Sequence, residues 1–154
     1  MLRRESGGDE MGLRILIIDD DSLIREMVAA SFAHAGYSVD SAADARAGIA
    51  ALRTQPADLV LLDLAMPDLD GFQALASIRE DAALRDTRVI MMTASRSEKD
   101  VRRARALGVA GYLAKPLASG ALVERVERML GAPWELELAK ARAEKPKEDD
   151  VWEV

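Results

Sequence analysis

Short apolar runs alternate along the chain with stretches in which apolar residues recur every three to four positions. Residues 13–18 read as a short apolar run, as expected of a parallel strand buried on both faces. Ser22 then opens a helix, with Glu26 nearby. Leu23, Ile24, Met27, Val28, Ser31 and Phe32 lie at helical spacing, and Gly36 ends it. A weaker strand follows at 37–40, then a helix from Asp44 to Arg53 that stops before Pro56. Residues 58–62 form the next apolar strand. The loop Met66-Pro67-Asp68-Leu69-Asp70-Gly71 leads into a helix carrying Phe72, Leu75 and Ile78. Strand 88–92, a helix from Glu98 to Leu107 closed by Gly108, and a strand at Gly111-Tyr112-Leu113 come next. A last core helix near 119–130 buries Leu122, Val126, Met129 and Leu130 and stops at Gly131.

Five strand–helix units predict an α/β doubly wound sheet of five parallel strands, because parallel strands need helical crossovers and right-handed crossovers put helices on both faces. Residues 1–11 read as a flexible leader, with Met11 a candidate true start, and 12–131 as one domain. In the tail, 132–154, residues 134–145 are rich in helix formers. Trp134, Leu138 and Ala141 would share a helical face, and Pro146 ends it. Both tryptophans lie in this tail. It reads as a disordered solubiliser, as a helix extending the fifth helix, or as a helix docking through Trp134, and Val151-Trp152-Glu153-Val154 as a short peptide ligand for another protein.

A length of 154 residues suits one domain with a proper core. The net charge of −6 argues against nucleic acid or anionic membrane as partner. With no cysteine, disulfides and thiolate metal sites are excluded, which fits a cytoplasmic location. No apolar run approaches the roughly 20 residues a transmembrane helix needs.

The chemistry lies at the ends of the apolar runs. Ile15–Ile18 runs into Asp19-Asp20, Leu59–Leu62 into Asp63, Val89–Met92 into Thr93, and Tyr112–Ala114 into Lys115-Pro116. Doubly wound sheets bind ligands beyond the carboxyl ends of their strands. Adjacent strands lie about 4.8 Å apart, so carboxylates ending neighbouring strands can share one cation. Oxygen donors of this kind suit Mg²⁺. Asp20 and Asp63 read as direct ligands, Asp19 as a ligand through water or a charge tuner, and a backbone carbonyl near Ala65 as a further oxygen. Asp63 is the nucleophile candidate, already ionised at neutral pH. Thr93 and Lys115 would bind phosphoryl oxygens and offset their charge. The bland alternative is that acids at strand ends solubilise loops and cap helices.

With these residues in place, the chain resembles a response-regulator receiver domain of two-component signalling. The matching segments are Ile17-Ile18-Asp19-Asp20-Asp21, Leu62-Asp63-Leu64-Ala65-Met66-Pro67-Asp68-Leu69-Asp70-Gly71, Met92-Thr93-Ala94 and Lys115-Pro116. The resemblance implies a flavodoxin-like fold with strand order 2-1-3-4-5, the family's own order. It implies that Asp63 is the phosphoacceptor, that Asp19 and Asp20 are the metal pair, that Ala65 lends a carbonyl to Mg²⁺, and that Thr93 and Tyr112 form the switch with Lys115 beside them. It implies a cis Lys115–Pro116 peptide. It also implies a sensor histidine kinase or histidine phosphotransfer protein as phosphoryl donor. His34, the single histidine, reads as a surface or helix-end residue rather than a donor.

Lys99, Arg102, Arg103 and Arg105 on the fourth helix, with Tyr112, read as an output surface for a downstream protein or a phosphorylation-dependent homodimer. Glu124, Arg125, Glu127 and Arg128 on the fifth helix would offer complementary charges. The expected function is a stand-alone receiver, with a phosphorelay shuttle or a pseudo-receiver that binds without phosphorylation as alternatives. Self-phosphorylation and slow self-dephosphorylation are expected, but not general hydrolysis. A phosphatase of the haloacid-dehalogenase type wants a second acid two residues past its nucleophile, and Ala65 stands there. A DNA-reading regulator is opposed by the acidic charge and by the absence of a second domain.

Overall fold

The structure, a computed structural model, describes residues 12–117 and 119–144. The leader 1–11 with Met11 and the segment 145–154 with Val151-Trp152-Glu153-Val154 lie outside the described residues. Five strands, β1 (Arg14–Ile18), β2 (Ser38–Ala42), β3 (Leu59–Asp63), β4 (Arg88–Thr93) and β5 (Gly111–Ala114), form one parallel sheet in the order β2-β1-β3-β4-β5. The helices are α1 (Ser22–His34), α2 (Ala45–Thr54), α3 (Gly71–Glu80), α4 (Glu98–Ala106) and α5 (Leu122–Glu144). This is the doubly wound, flavodoxin-like arrangement expected from the sequence.

The central strands read as continuous apolar runs because successive side chains enter different cores. Leu16, Ile18, Val60, Leu62 and Met91 pack with Ile49 and Leu52 of α2 and Leu75 and Ile78 of α3. Ile15, Ile17, Leu61, Ile90 and Met92 pack on the opposite face with Val28 and Phe32 of α1 and Leu122 and Val126 of α5. A shift of one residue in any central strand would exchange the two faces, so the register is firmly specified.

Caps set the helix starts. α1 opens at Ser22 as expected, and Asp21 just before it caps the helix by accepting from the N–H groups of Leu23 and Ile24. Asp44 caps α2, Asp70 and Gln73 form a capping box on α3, and Ser97 caps α4.

The run at 13–18 is not wholly apolar. Arg14 begins β1 yet is only 5% exposed. Its guanidinium pairs with Asp40 of β2 and donates to the carbonyl of Pro56, while its main-chain N–H donates to Asp58. The buried charge is tolerated because Asp40 pairs with it and the Pro56 carbonyl accepts from it, although Nη2 has no partner among the described residues.

Gly131 interrupts α5 with φ 71° and ψ −160°, a backbone open to glycine. Beyond this kink, residues 132–144 continue as a helix that packs on the core through Trp134 and Leu138. Trp134 is 1% exposed and Leu138 4%. The indole N–H donates to the Tyr37 hydroxyl at 3.1 Å, and that hydroxyl donates to Glu127 at 2.5 Å. Burial, first, and then Glu127 push the Tyr37 phenol well above its usual range. Glu127 is therefore held within the fold rather than offered on the outer charge pattern of α5. Arg88, the first residue of β4, lies over the indole at 5.3 Å and pairs with Glu137 through both terminal nitrogens. Tyr37 and Arg88 stand at the amino ends of β2 and β4. The docked segment thus meets the core at the end of the sheet opposite the loaded residues.

Candidate functional site

At the carboxyl ends of the strands the predicted residues meet. Asp19 follows β1, Asp63 ends β3, Thr93 ends β4, and Lys115 follows β5. One carboxylate oxygen from each of Asp19, Asp20 and Asp63 lies within 4.8 Å of the others. Asp19 is fully buried and Asp63 is 4% exposed. Asp20 is exposed at the mouth.

Lys115 crosses from β5 to these acids. Its Nζ lies 2.6 Å from Asp19 Oδ2 and 3.4 Å from Asp63 Oδ1. Burial alone would lower the ammonium pKa; the Asp19 hydrogen bond and the two negative charges outweigh it, so the net shift is upward. Asp63 moves up to about 6, first because it is buried and then because Asp19 is close; Lys115 and the Ala65 N–H pull only partly the other way. Asp63 Oδ1 accepts from that N–H at 3.3 Å.

The loop after β3 is held tightly against the strand. The Gly71 N–H donates to the Leu64 carbonyl at 2.9 Å. A Cβ at Gly71 would stand 2.5 Å from the Asp63 carbonyl and 2.6 Å from Leu64 Cα, so only glycine lets α3 approach the acid this closely. The Lys115–Pro116 peptide is cis.

Thr93 is 1% exposed, and its hydroxyl accepts the Ser95 N–H at 3.1 Å. Tyr112 is half-buried and donates to the Ser95 carbonyl at 3.3 Å. Both switch candidates therefore end on one residue that the sequence reading missed. Ser95 also donates to Asp100 of α4 at 2.7 Å, tying the Thr93 loop to that helix. The Ser95-Arg96-Ser97 stretch ahead of Glu98 could have signalled a cap, but not a link to the hydroxyl. A second missed residue is Arg25, whose guanidinium donates to the Asp19 carbonyl at 2.7 Å.

Lys99, Arg102, Arg103 and Arg105 are exposed on α4. They are not equivalent. Arg102 pairs with Glu98 at 3.7 Å, and Arg103 lies over the Phe72 ring at 4.2 Å. His34 is exposed in the last turn of α1, away from the acids. Among the described residues no helix is long and apolar enough to cross a membrane.

Hard oxygen donors fit a small divalent cation well. Three carboxylates crowded together repel one another, and a single lysine offsets only part of that charge.

Comparison with known proteins agrees. The family model described as the response regulator receiver domain matches residues 15–127. The DNA-binding dual master transcriptional regulator RpaA of Synechocystis is 39% identical over 118 residues, covering 76% of this chain and 48% of that protein. The transcriptional regulatory protein GltR of Pseudomonas aeruginosa is 36% identical over 119 residues, covering 77% of this chain and 49% of that one. This chain spans about half the length of the curated relatives it matches. Among solved structures, the chemotaxis protein CheY4 of Vibrio cholerae superposes with a TM-score of 0.72 at 30% identity, over 77% of this chain and 98% of that one. A CheY-like receiver domain protein from Methanospirillum hungatei gives 0.69 at 28% identity, over 86% and 98%. The fold and its acidic edge are those of a two-component signalling receiver. This chain belongs to the response regulator receiver domain family.

Proposed function

We propose that this receiver accepts a phosphoryl group on Asp63 from a phosphohistidine donor, with Mg²⁺ as cofactor. The observation that supports it best is the convergence of Asp19, Asp20, Asp63 and Lys115 at one sheet edge. Asp19, Asp20 and Asp63, with the Ala65 carbonyl, would hold the ion, which when bound neutralises charge on the transferring phosphoryl oxygens. Asp63 Oδ1 is engaged by Lys115 and Ala65, which leaves Oδ2 to attack phosphorus. The P–N bond of the donor breaks as the P–O bond to Asp63 forms, and the departing imidazole keeps the electron pair and takes up a proton. Lys115 faces the oxygens that gain charge.

Thr93 and Tyr112 then couple the site to the surface. A hydroxyl that turns toward phosphoryl oxygens gives up the Ser95 N–H, and the loop carrying the Tyr112 contact loosens with it. Because Ser95 is tied to Asp100, the change reaches α4 and its cations, Lys99, Arg102, Arg103 and Arg105, which with Tyr112 form the output face for a downstream protein. The test is incubation with acetyl phosphate and Mg²⁺, read by intact mass. The wild-type protein gains one phosphoryl group and Asp63→Asn gains none; an unlabelled wild type under saturating Mg²⁺ favours the pseudo-receiver reading instead.

A further inference from the structure

The acids can share an ion only if the turn between β1 and α1 delivers two consecutive aspartates in one fixed orientation. Asp19 is held on every side. Its N–H donates to the Ala42 carbonyl at 3.2 Å. Its carboxylate accepts from the Asp21 N–H at 2.9 Å and from Lys115 at 2.6 Å. Its carbonyl accepts from the Arg25 guanidinium at 2.7 Å. Asp20 differs: among the described residues no hydrogen bond holds its side chain, so its direction comes from the backbone alone.

We infer that Arg25 is a positioning residue for divalent-cation binding. The carbonyl it holds belongs to the peptide plane joining Asp19 to Asp20. Fixing that plane constrains how the chain leaves Asp19 and so where the Cα–Cβ bond of Asp20 is carried, which narrows the reach of its carboxylate. The turn closes on itself through the same residues. Asp21 donates to Asp19 and caps α1, the Arg25 N–H donates to the Asp21 carbonyl at 3.0 Å, and the Arg25 side chain returns to Asp19. Arg25 is half-buried and touches neither the site carboxylates nor Lys115 through any hydrogen bond or ion pair among the described residues. It therefore acts through the turn and not on the reacting atoms.

Two physical effects of this residue have opposite signs. As a nearby positive charge, a guanidinium opposes the arrival of a cation, so removing it would tighten Mg²⁺ binding. As a clamp on the turn, it prepays the ordering of two ligands, so removing it would weaken binding. The hydrogen bond is short and directed at the one peptide that orients both ligands, whereas the charge is partly solvated and screened. Positioning wins.

The inference rests on the proposed function, since it takes cation binding as given. The test is Mg²⁺ titration of the wild type, Arg25→Met and Arg25→Lys, followed by calorimetry and amide NMR shifts, with melting temperatures measured in EDTA. Arg25→Met keeps the aliphatic stem and loses the donor; its Mg²⁺ affinity is expected to fall about three- to tenfold. Arg25→Lys restores a donor and recovers most of that loss. In acetyl phosphate loading, the Mg²⁺ concentration for half-maximal rate rises in Arg25→Met while the rate at saturating Mg²⁺ stays near wild type. Unchanged or tighter binding in Arg25→Met overturns the inference. So does an equal loss in Arg25→Lys, or a loss matched by a collapse of the melting temperature. A wild type that binds no Mg²⁺ at all would instead defeat the proposed function, a result separable from these.

Discussion

Lys115 reaches from the end of β5 across the sheet edge to donate a 2.6 Å hydrogen bond to Asp19, at the end of β1. The two residues are 96 positions apart in the chain, and Asp19 is fully buried. Without a cation, Lys115 is the close positive partner of Asp19 and Asp63 among the described residues. The Lys115→Ala variant should therefore be destabilised in EDTA and recover more on Mg²⁺ addition than wild type does. Thermal unfolding with and without Mg²⁺ measures this; an equal Mg²⁺ increment in both proteins would show that Lys115 does not balance the acids.

The raised Asp63 pKa has a pH signature. In the unfolded chain this carboxyl titrates near its ordinary value of 3.8; in the folded protein it titrates at about 6. The folded state holds its proton more tightly, so the contribution to stability is full below about pH 4 and is lost as pH rises through about 6. In EDTA, wild type should lose stability relative to Asp63→Asn across that window, so that the variant is the more stable protein at pH 7. Melting temperatures of both proteins from pH 4 to 7 provide the difference, which removes the background of the other acids. Parallel curves would mean that Asp63 carries no such shift.

At the opposite end of the molecule, Trp134 joins residues 132–144 to the core through Tyr37 and Arg88. Trp134→Ala should cost about 3–5 kcal/mol, as large aromatic truncations in cores do. Trp134→Phe should cost less, because it keeps the apolar contact and loses the hydrogen bond to Tyr37. Phosphoryl uptake at pH 7 and low temperature should survive in both variants, since the acids lie at the other edge of the sheet. Denaturant unfolding and acetyl phosphate labelling test the two halves of this statement.

Thr93 and Tyr112 should separate uptake from signal. In Thr93→Ala the acids and Lys115 are untouched, so beryllofluoride with Mg²⁺ should still bind. The amide shifts of Ser95, Asp100 and the rest of α4 should then be much smaller than in wild type, because the Ser95 N–H has no hydroxyl to lose. Full-sized shifts in the variant would remove Thr93 from the coupling.

Much of this was legible in the chain. Parallel strands buried on both faces leave uninterrupted runs such as Ile15–Ile18 and Leu59–Leu62, and the residue after each run must stand at the sheet edge. That rule alone gathered Asp19, Asp63, Thr93 and Lys115. Where it failed, side-chain partners decided. Arg14 sits in a run read as apolar because Asp40, the Pro56 carbonyl and Asp58, all from other elements, pair its Nη1, Nε and main-chain N–H. The cap of α1 is Asp21, the residue before the Ser22 at which the helix opens. The apolar stripe of Trp134 and Leu138 looks the same whether the helix docks or floats; docking depends on Tyr37 and Arg88, far off in sequence. The Ser95–Asp100 and Arg25–Asp19 hydrogen bonds depend on loop geometry that no periodicity reports.

The most direct measurement of the central claim is chemical location of the phosphoryl group. Protein loaded with acetyl phosphate and Mg²⁺ is reduced with borohydride, which converts an aspartyl phosphate to homoserine, and is then sequenced by tandem mass spectrometry. The expected result is homoserine at position 63 alone. Homoserine at Asp20, Asp68 or any other carboxylate, with Asp63 unaltered, would contradict the account.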